Sequence, residues 1–285
     1  INIGLDLLFV MVFHWGIPGA AIATVIAQAF SFLFCFVVLR KIEVLKISRR
    51  DTKLEKGVVV RLLTLGMPLM FQNVIISVGG MVVQTVINGF GFIFVAGFTA
   101  ANKLYGLLEM AAISFGYAIT TYTGQNLGAG RLDRIRTGMR SGMAMAALTS
   151  VAVSAVMLIF GRSILSLFVS GDPAQTAEVL NIAYRYLSVM SYFLVVLYAL
   201  CVYRSALQGL GDTVLPMVSG IVEFVMRVCA VMLLPAVIGQ NGVFYAEILA
   251  WIGAAVLLVT SYYRKMHQLT HGKQMKRKTA DDRSH

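Results

Sequence analysis

The chain has 285 residues, of which 58% are hydrophobic and 13% are charged, and its mean hydropathy is +0.80. Because a soluble domain carries about 25% charged residues, this composition excludes a water-covered surface, and we expect lipid to be the main solvent. The 24 Lys and Arg residues exceed the 13 Asp and Glu residues, which gives a net charge of +11. The basic residues lie between apolar segments, which favours cytoplasmic loops of a membrane protein over binding to nucleic acid.

Eight apolar segments predict membrane-spanning helices, and the first of them is short. A spanning helix needs about 20 apolar residues, whereas spanning β-strands alternate polar and apolar residues. Glycine and proline clusters separate the segments, and Asp172 before Pro173 is typical of a helix start. The segments are residues 1–15, 17–40, 61–88, 91–121, 137–160, 180–207, 213–237 and 240–263.

Basic residues are concentrated in alternate connections, which predicts the orientation of the helices. The connections near residues 16, 89, 161–173 and 238 contain a single Lys or Arg residue, Arg162. By the positive-inside rule, the basic connections and the carboxy terminus should be cytoplasmic. We expect the polar tail beyond Gly272 to be disordered. The basic regions are residues 40–61, 131–140 and 264–283.

One pattern, G-x-x-G-x-x-x-A-x-x-x-A, occurs twice, beginning at Gly16 and at Gly239. Each copy follows one apolar segment and opens another that ends in a basic pair. Small residues at helical spacing are common where membrane helices pack closely, but the shared position in a helix pair favours a parallel repeat, as in transporters. The second repeat would hold six helices and the first only its last two, so we expect four helices to precede this sequence.

Five short motifs run along nearly the whole chain before the tail. They begin at Asn2 (NIGLDLLFV), Gly16 (GIPGAAIAT), Gly66 (GMP), Thr123 (TGQNLGAGR) and Ala206 (ALQGLGDT). In this order they resemble helices five to twelve of the multidrug and toxic compound extrusion (MATE) family.

The resemblance implies an all-α membrane protein with a MATE-like two-lobe helical bundle, in which about eight of twelve transmembrane helices are present. Residues 1–41 would be the last two helices of the amino-terminal lobe, and 42–60 a cytoplasmic linker between lobes. Residues 61–265 would be the six-helix carboxy-terminal lobe, and 266–285 a basic cytoplasmic tail.

The resemblance also implies a function. The protein would be a secondary antiporter of the cell inner (plasma) membrane, not an enzyme, that exports cationic or amphipathic drugs and toxic compounds. Protons would drive the exchange in preference to sodium, with small molecules and the bilayer as partners, no cofactor, and a monomer as the working unit. A flippase for lipid-linked oligosaccharides, from the same broad superfamily, is the alternative.

Asn2 and Asp6 are four residues apart and share a helix face. The resemblance places both, together with Thr24 on the next helix, in a network that responds to protons and substrate. A carboxylate beside an amide and a hydroxyl in a low-dielectric cavity can favour its neutral form, and can therefore load and release a proton. The alternative is an aspartate that only caps a helix end.

A second candidate site in the carboxy-terminal lobe comprises Gln72, Lys103 and Glu109. Lys103 and Glu109 are six residues apart and cannot simply pair on one helix, and functional and structural roles are equally open. The resemblance implies that some relatives carry a functional carboxylate near the position of Lys103. It also implies that relatives of the sodium-coupled branch carry carboxylates near the positions of Ile76 and Leu197. None of these three positions is acidic here, which disfavours a sodium site.

Two further carboxylates, Glu223 and Glu247, lie inside apolar segments, where charges are costly and usually functional. Glu223 and Arg227 are spaced i,i+4, which predicts a structural ion pair. We expect Glu247 to form hydrogen bonds inside the lobe. The cysteines and histidines lack the spacing of a metal or redox site, so no metal is expected.

Overall fold

The computed structural model describes residues 1–42, 55–169 and 173–281, with side-chain surroundings as far as His271. Every regular element in these ranges is helical, as the sequence predicted. The chain divides into a smaller unit, Ile1–Val60, and a larger unit, Arg61–His285. Most of the predicted linker 42–60 lies outside the described residues, and so does Asp172.

The helices are joined mostly by short connections. A π-helical segment, Leu7–Val12, continues the first helix, and a 3₁₀ turn, Gly239–Asn241, joins the last two. The α-helices are α1 (Asn2–Asp6), α2 (Gly16–Lys41), α3 (Lys56–Asn88), α4 (Phe92–Gly128), α5 (Leu132–Leu165), α6 (Pro173–Tyr192), α7 (Leu194–Gly209), α8 (Val214–Ile238) and α9 (Gly242–Asp281).

The sixth predicted helix and the carboxy-terminal tail differ from the sequence prediction. The segment predicted as one helix over 180–207 is broken at Phe193, and α6 and α7 are bent by 52°. The disorder expected beyond Gly272 is wrong, because α9 continues to Asp281. Its last turns contain Lys, Gln, Met and Arg, which are good helix formers, and they extend a helix that is already nucleated.

Four helical segments of the described residues are long and apolar enough to cross a membrane, or five if α6 and α7 form one bent span. One of the four, Val214–His271, contains both α8 and most of α9. Large apolar side chains are exposed along most helices, as expected where lipid replaces water. The protein is therefore a multi-pass, all-α membrane protein.

Aromatic rings fill the core of the larger unit where α4, α6 and α9 meet. The ring centroids of Phe98 and Tyr186 are 4.7 Å apart, and those of Tyr186 and Phe244 are 5.2 Å apart. Small residues bring the helices close: a Cβ on Gly97 would lie 2.9 Å from the Cβ of Ile182. This packing fixes the helices that surround the cavity described below.

The two copies of the sequence pattern share features of their backbone conformation. Gly16 and Gly239 both have positive φ angles, +58° and +69°, which favour glycine. The second glycine of each copy is crowded by the preceding chain: a Cβ would lie 3.3 Å from a backbone oxygen at Gly19 and 2.8 Å from one at Gly242. The alanine four residues later is 0% exposed in both copies. Each copy therefore packs its helix start tightly against the chain before it.

Candidate functional site

In the smaller unit, the side chains of Asn2 and Thr24 are neighbours. Asn2 Nδ2 donates a long hydrogen bond of 3.4 Å to Thr24 Oγ1. The Thr24 hydroxyl donates to the carbonyl of Ala20 at 3.0 Å. The contact joins α1 to α2, with Asn2 half-buried and Thr24 exposed.

Asp6, the third residue of this predicted network, is half-buried at the end of α1. Its Oδ1 is buried and has no hydrogen-bond partner among the described residues. The chain directly after it, Leu7–Val12, is π-helical, a wide turn that is frequent at functional sites. An unpartnered carboxylate oxygen is costly when buried, so a proton or a cation would relieve it.

A cavity of about 460 Å³ lies within the larger unit. Its wall combines aromatic and aliphatic side chains with an unusual number of charges for a membrane protein. The charges come from α4, α7, α8 and α9. They are Glu109, Arg204, Glu223, Arg227 and Glu247.

Four of these five charges form one continuous network of ion pairs. Arg204 Nη2 lies 2.6 Å from Glu223 Oε2, and Glu223 Oε1 lies 2.8 Å from Arg227 Nη2. Arg227 Nη2 also lies 2.8 Å from Glu247 Oε2. The predicted pair of Glu223 and Arg227 is confirmed, and these side chains are only 5% and 6% exposed. The network connects α7, α8 and α9.

Arg227 is the central member of the network. Besides its two carboxylates, it donates from Nη1 to the backbone carbonyl of Ile76 on α3 at 3.3 Å. Gly79 leaves space for it, because a Cβ there would lie 3.2 Å from the same nitrogen. A buried charge is tolerated only with good partners, and Arg227 finds its partners on three helices, α3, α8 and α9.

Glu109 is the carboxylate that this network leaves out. It is half-buried in the wall and makes no ion pair or hydrogen bond with the described residues. With it, the wall holds three carboxylates against two guanidiniums. When all are ionised, the cavity has an excess negative charge, which attracts a cation or a proton. Within the described ranges, no three potential ligands are grouped as a metal site.

The other two residues of the second predicted site lie elsewhere. Lys103 is exposed on α4, because six residues turn it about 240° from Glu109. Gln72 is 4% exposed and packs against α8. The structure therefore brings only Glu109 to the cavity. Ile76 and Leu197, two positions where sodium-coupled relatives would carry carboxylates, do line it.

Arg204 and Glu247 were not assigned to a site from the sequence. Their pairing crosses between helices and depends on tertiary packing. One sequence signal could have found them: neither has an opposite charge three or four residues away. A charged residue in an apolar segment that has no opposite charge three or four residues away requires an oppositely charged partner on another helix.

Apolar helices around a charged cavity are typical of polytopic membrane transporters, because charges inside a membrane are often retained where they serve a transport pathway. The MatE family model matches residues 68–233. The chain therefore belongs to the MatE family, to which the five sequence motifs pointed. Several of its curated relatives are named as multidrug resistance or export proteins, so the family is one of transporters, not of enzymes.

Two relatives from Bacillus subtilis illustrate the similarity. YpnP, named a probable multidrug resistance protein, is 30% identical over 85% of this chain and 54% of its own length. YoeA, named likewise, is 28% identical over 89% of this chain and 49% of its own length. The chain thus spans about half the length of the curated relatives it matches.

Solved structures show the same fold. A transporter of the MOP superfamily from Pyrococcus furiosus superposes with a TM-score of 0.84 at 21% identity, over 94% of this chain and 60% of that one. A multidrug resistance MATE family transporter in an outward-facing conformation gives a TM-score of 0.82 at 22% identity, over 95% and 60%.

Proposed function

We propose that this chain acts in a secondary antiporter that exports cationic or amphipathic drugs and toxic compounds in exchange for protons. The names of its relatives support multidrug export. The excess of carboxylates over guanidiniums in the wall of the cavity supports a cationic substrate. The proposal that protons are the coupling ion rests on Oδ1 of Asp6, which is buried and has no hydrogen-bond partner among the described residues.

Protonation of Asp6 changes the hydrogen bonds that it can make. An ionised carboxylate only accepts, whereas the neutral group can also donate. Asn2 and Thr24, joined across α1 and α2, offer both kinds of partner to a network with Asp6. A cationic substrate favours the charged form and a proton the neutral form, so their binding is mutually exclusive. This competition is the minimum that exchange requires.

Protons are favoured over sodium by the residues around the cavity that contains Glu109. Ile76 and Leu197 present hydrocarbon where sodium-coupled relatives are expected to carry carboxylates. Arg204 and Arg227 occupy much of the remaining acidic surface. The free carboxylate of Glu109 is a candidate for a second proton or for the substrate cation.

The alternative function, a flippase for lipid-linked oligosaccharides, fits this cavity less well. Such a substrate carries phosphate groups, which would meet a wall where carboxylates outnumber guanidiniums. We further propose that the protein is a monomer in the cell inner membrane. Its carboxy terminus would be cytoplasmic, because basic connections alternate along the chain with connections that are poor in Lys and Arg.

The test is Asp6→Asn in the protein as its host expresses it. The substitution keeps the shape but fixes a neutral side chain, so proton-driven ethidium efflux should be lost while expression stays unchanged. Asp6→Glu should retain part of the activity with a shifted pH profile. Efflux is measured in vesicles with a proton gradient, and again with a sodium gradient instead.

Asp133→Asn is the matched control, because Asp133 is an exposed acidic residue on α5 far along the chain; it should transport normally. Wild-type efflux by Asp6→Asn on both sides of neutral pH would make Asp6 a structural residue. Movement of a lipid-linked sugar without movement of ethidium would favour the flippase.

A further inference from the structure

A second cavity, of about 670 Å³, lies between α5, α7 and α9. Two arginines, Arg136 and Arg140, project from the first turns of α5, and His267 comes from α9. Tyrosines from α7 and α9 complete the polar part. None of the described residues that line it is acidic, in contrast to the cavity around Arg227.

The remaining wall of this basic cavity is apolar. Met139, Met143 and Met266 contribute most of it, together with two alanines of α5. Methionine is flexible and adapts to irregular apolar ligands. The cavity therefore offers positive charge and hydrocarbon side by side.

Several donors in the basic cavity have no protein acceptor. Tyr262 is only 3% exposed, and its hydroxyl has no hydrogen-bond partner among the described residues. Arg140 makes no hydrogen bond or ion pair with them, while Arg136 uses one Nη2 to donate to Thr270 at 2.8 Å. The buried Tyr262 hydroxyl without an acceptor indicates that a ligand supplies one, and the exposed guanidinium of Arg140 is available to the same ligand.

The hydroxyls of Tyr203 and Tyr263 lie 3.4 Å apart at the same cavity. Since only one of them can donate to the other, the second keeps a free donor. Tyrosines with an apolar ring and a polar tip are enriched where membrane meets water. The cavity is thus built like the boundary between lipid headgroups and acyl chains.

We propose that this basic cavity binds the phosphate headgroup of an anionic membrane lipid. Arg136 and Arg140 would hold the phosphate oxygens by charge-assisted hydrogen bonds, and the Tyr262 hydroxyl would donate a further one. The methionines would contact the start of an acyl chain. Basic pockets between helices on the cytoplasmic side are suited to such headgroups, and the charge pattern predicts that side for these helix ends.

A soluble phosphate compound could offer the same headgroup chemistry. The apolar wall favours the lipid, because a free phosphate has no hydrocarbon part that could cover it. Lipid binding at the basic cavity does not depend on the transported substrate, so a negative result in the lipid-binding test would leave the proposed export untouched.

Native mass spectrometry of the purified, delipidated protein in detergent tests the proposal. Phosphatidylglycerol and phosphatidylcholine with identical acyl chains are titrated, and inorganic phosphate is added as a competitor. Wild-type protein should prefer phosphatidylglycerol, and phosphate should not displace it. Arg140→Gln should weaken its binding about fivefold, and Tyr262→Phe should weaken it as well.

Arg134→Gln is the matched control, since Arg134 is an exposed arginine of the same helix outside the lining. It should change the affinity by less than about twofold. An equal loss in Arg134→Gln and Arg140→Gln would show general surface attraction and overturn the site. Equal binding of both lipids would overturn it too, and displacement by inorganic phosphate would overturn the assignment to lipid.

Discussion

At the scale of single residues, the ion-pair network of the cavity that contains Glu109 depends on Arg227. It contacts Glu223, Glu247 and a carbonyl of α3, and its side chain is 6% exposed. Among the described residues, Arg204 pairs with Glu223 alone, and it is 15% exposed. Removing Arg227 leaves Glu247 without an ion-pair partner among these residues, whereas removing Arg204 leaves both Glu223 and Glu247 paired with Arg227.

Arg227→Met should therefore destabilise the protein more than Arg204→Met. Loss of one partner from a buried ion network costs about 3–5 kcal/mol, and we expect a clearly lower Tm in a thermal unfolding assay in detergent. Adding Glu247→Gln to Arg227→Met should restore part of the loss, because Glu223 stays paired with Arg204 and the network then keeps no unpaired carboxylate. Equal Tm values for the two single variants would show that the network is not centred on Arg227.

Part of this network could be predicted from the sequence. Glu223 and Arg227 are four residues apart, and helical geometry alone pairs them. Arg204 and Glu247 need neighbours that tertiary packing provides, and spacing along the chain says nothing about these. The same limit applies to Lys103 and Glu109. Their spacing in the sequence predicts their angular separation on the helix, but it does not predict which of them faces the cavity.

At the scale of elements, the two copies of the glycine pattern set how a helix starts. In each copy one glycine takes a positive φ, and a second lies against the preceding chain. At Gly242 this approach is closest, since a Cβ would lie 2.6 Å from the carbonyl carbon of Leu234 in α8. That distance is below any contact that a real Cβ makes, and the neighbour is backbone, so it cannot rotate away.

Gly242→Ala should consequently lower the Tm, because α8 and α9 must separate to admit the methyl group. Gly66→Ala is the matched control: Gly66 is helical in α3 with nothing within 4 Å. It should be neutral or stabilising, since alanine is favoured over glycine in a helix by about 1 kcal/mol. A Gly242→Ala variant as stable as the wild type would mean that the α8–α9 contact is loose.

Hydropathy predicted where most helices lie, because lipid selects long apolar segments and glycine clusters end them. It missed the break at Phe193, where neither glycine nor proline stands at the bend. It also ended α4 at 121, whereas the helix continues to Gly128. Polar residues such as Gln125 and Asn126 leave the apolar pattern without leaving the helix, so hydropathy cannot place that boundary.

At the scale of the whole molecule, the charge pattern predicts which helix ends face the cytoplasm. Four arginines, Arg131, Arg134, Arg136 and Arg140, lie in or beside the first turns of α5, whereas its last turn holds one, Arg162. Since Lys and Arg are retained on the cytoplasmic side, α5 should run outward.

Single cysteines test this orientation in a variant whose three native cysteines are replaced. Leu167→Cys, at a site 80% exposed after α5, should react with an impermeant maleimide in intact cells. Arg134→Cys, exposed at the start of α5, should react only after permeabilisation. Labelling of Arg134→Cys from outside would invert the proposed topology, and with it the side of the basic cavity.

The ion network also bears on how the protein enters the membrane during synthesis. A lone charge at the centre of a helix opposes insertion by about 3 kcal/mol. Helix α7 brings Arg204 first, α8 then brings Glu223 and Arg227 as a ready pair, and α9 brings Glu247 last. If helices insert in chain order, the growing network never carries more than one uncompensated charge. The order of the charged residues along the chain thus allows a charged interior, which is costly to insert, to be assembled one helix at a time.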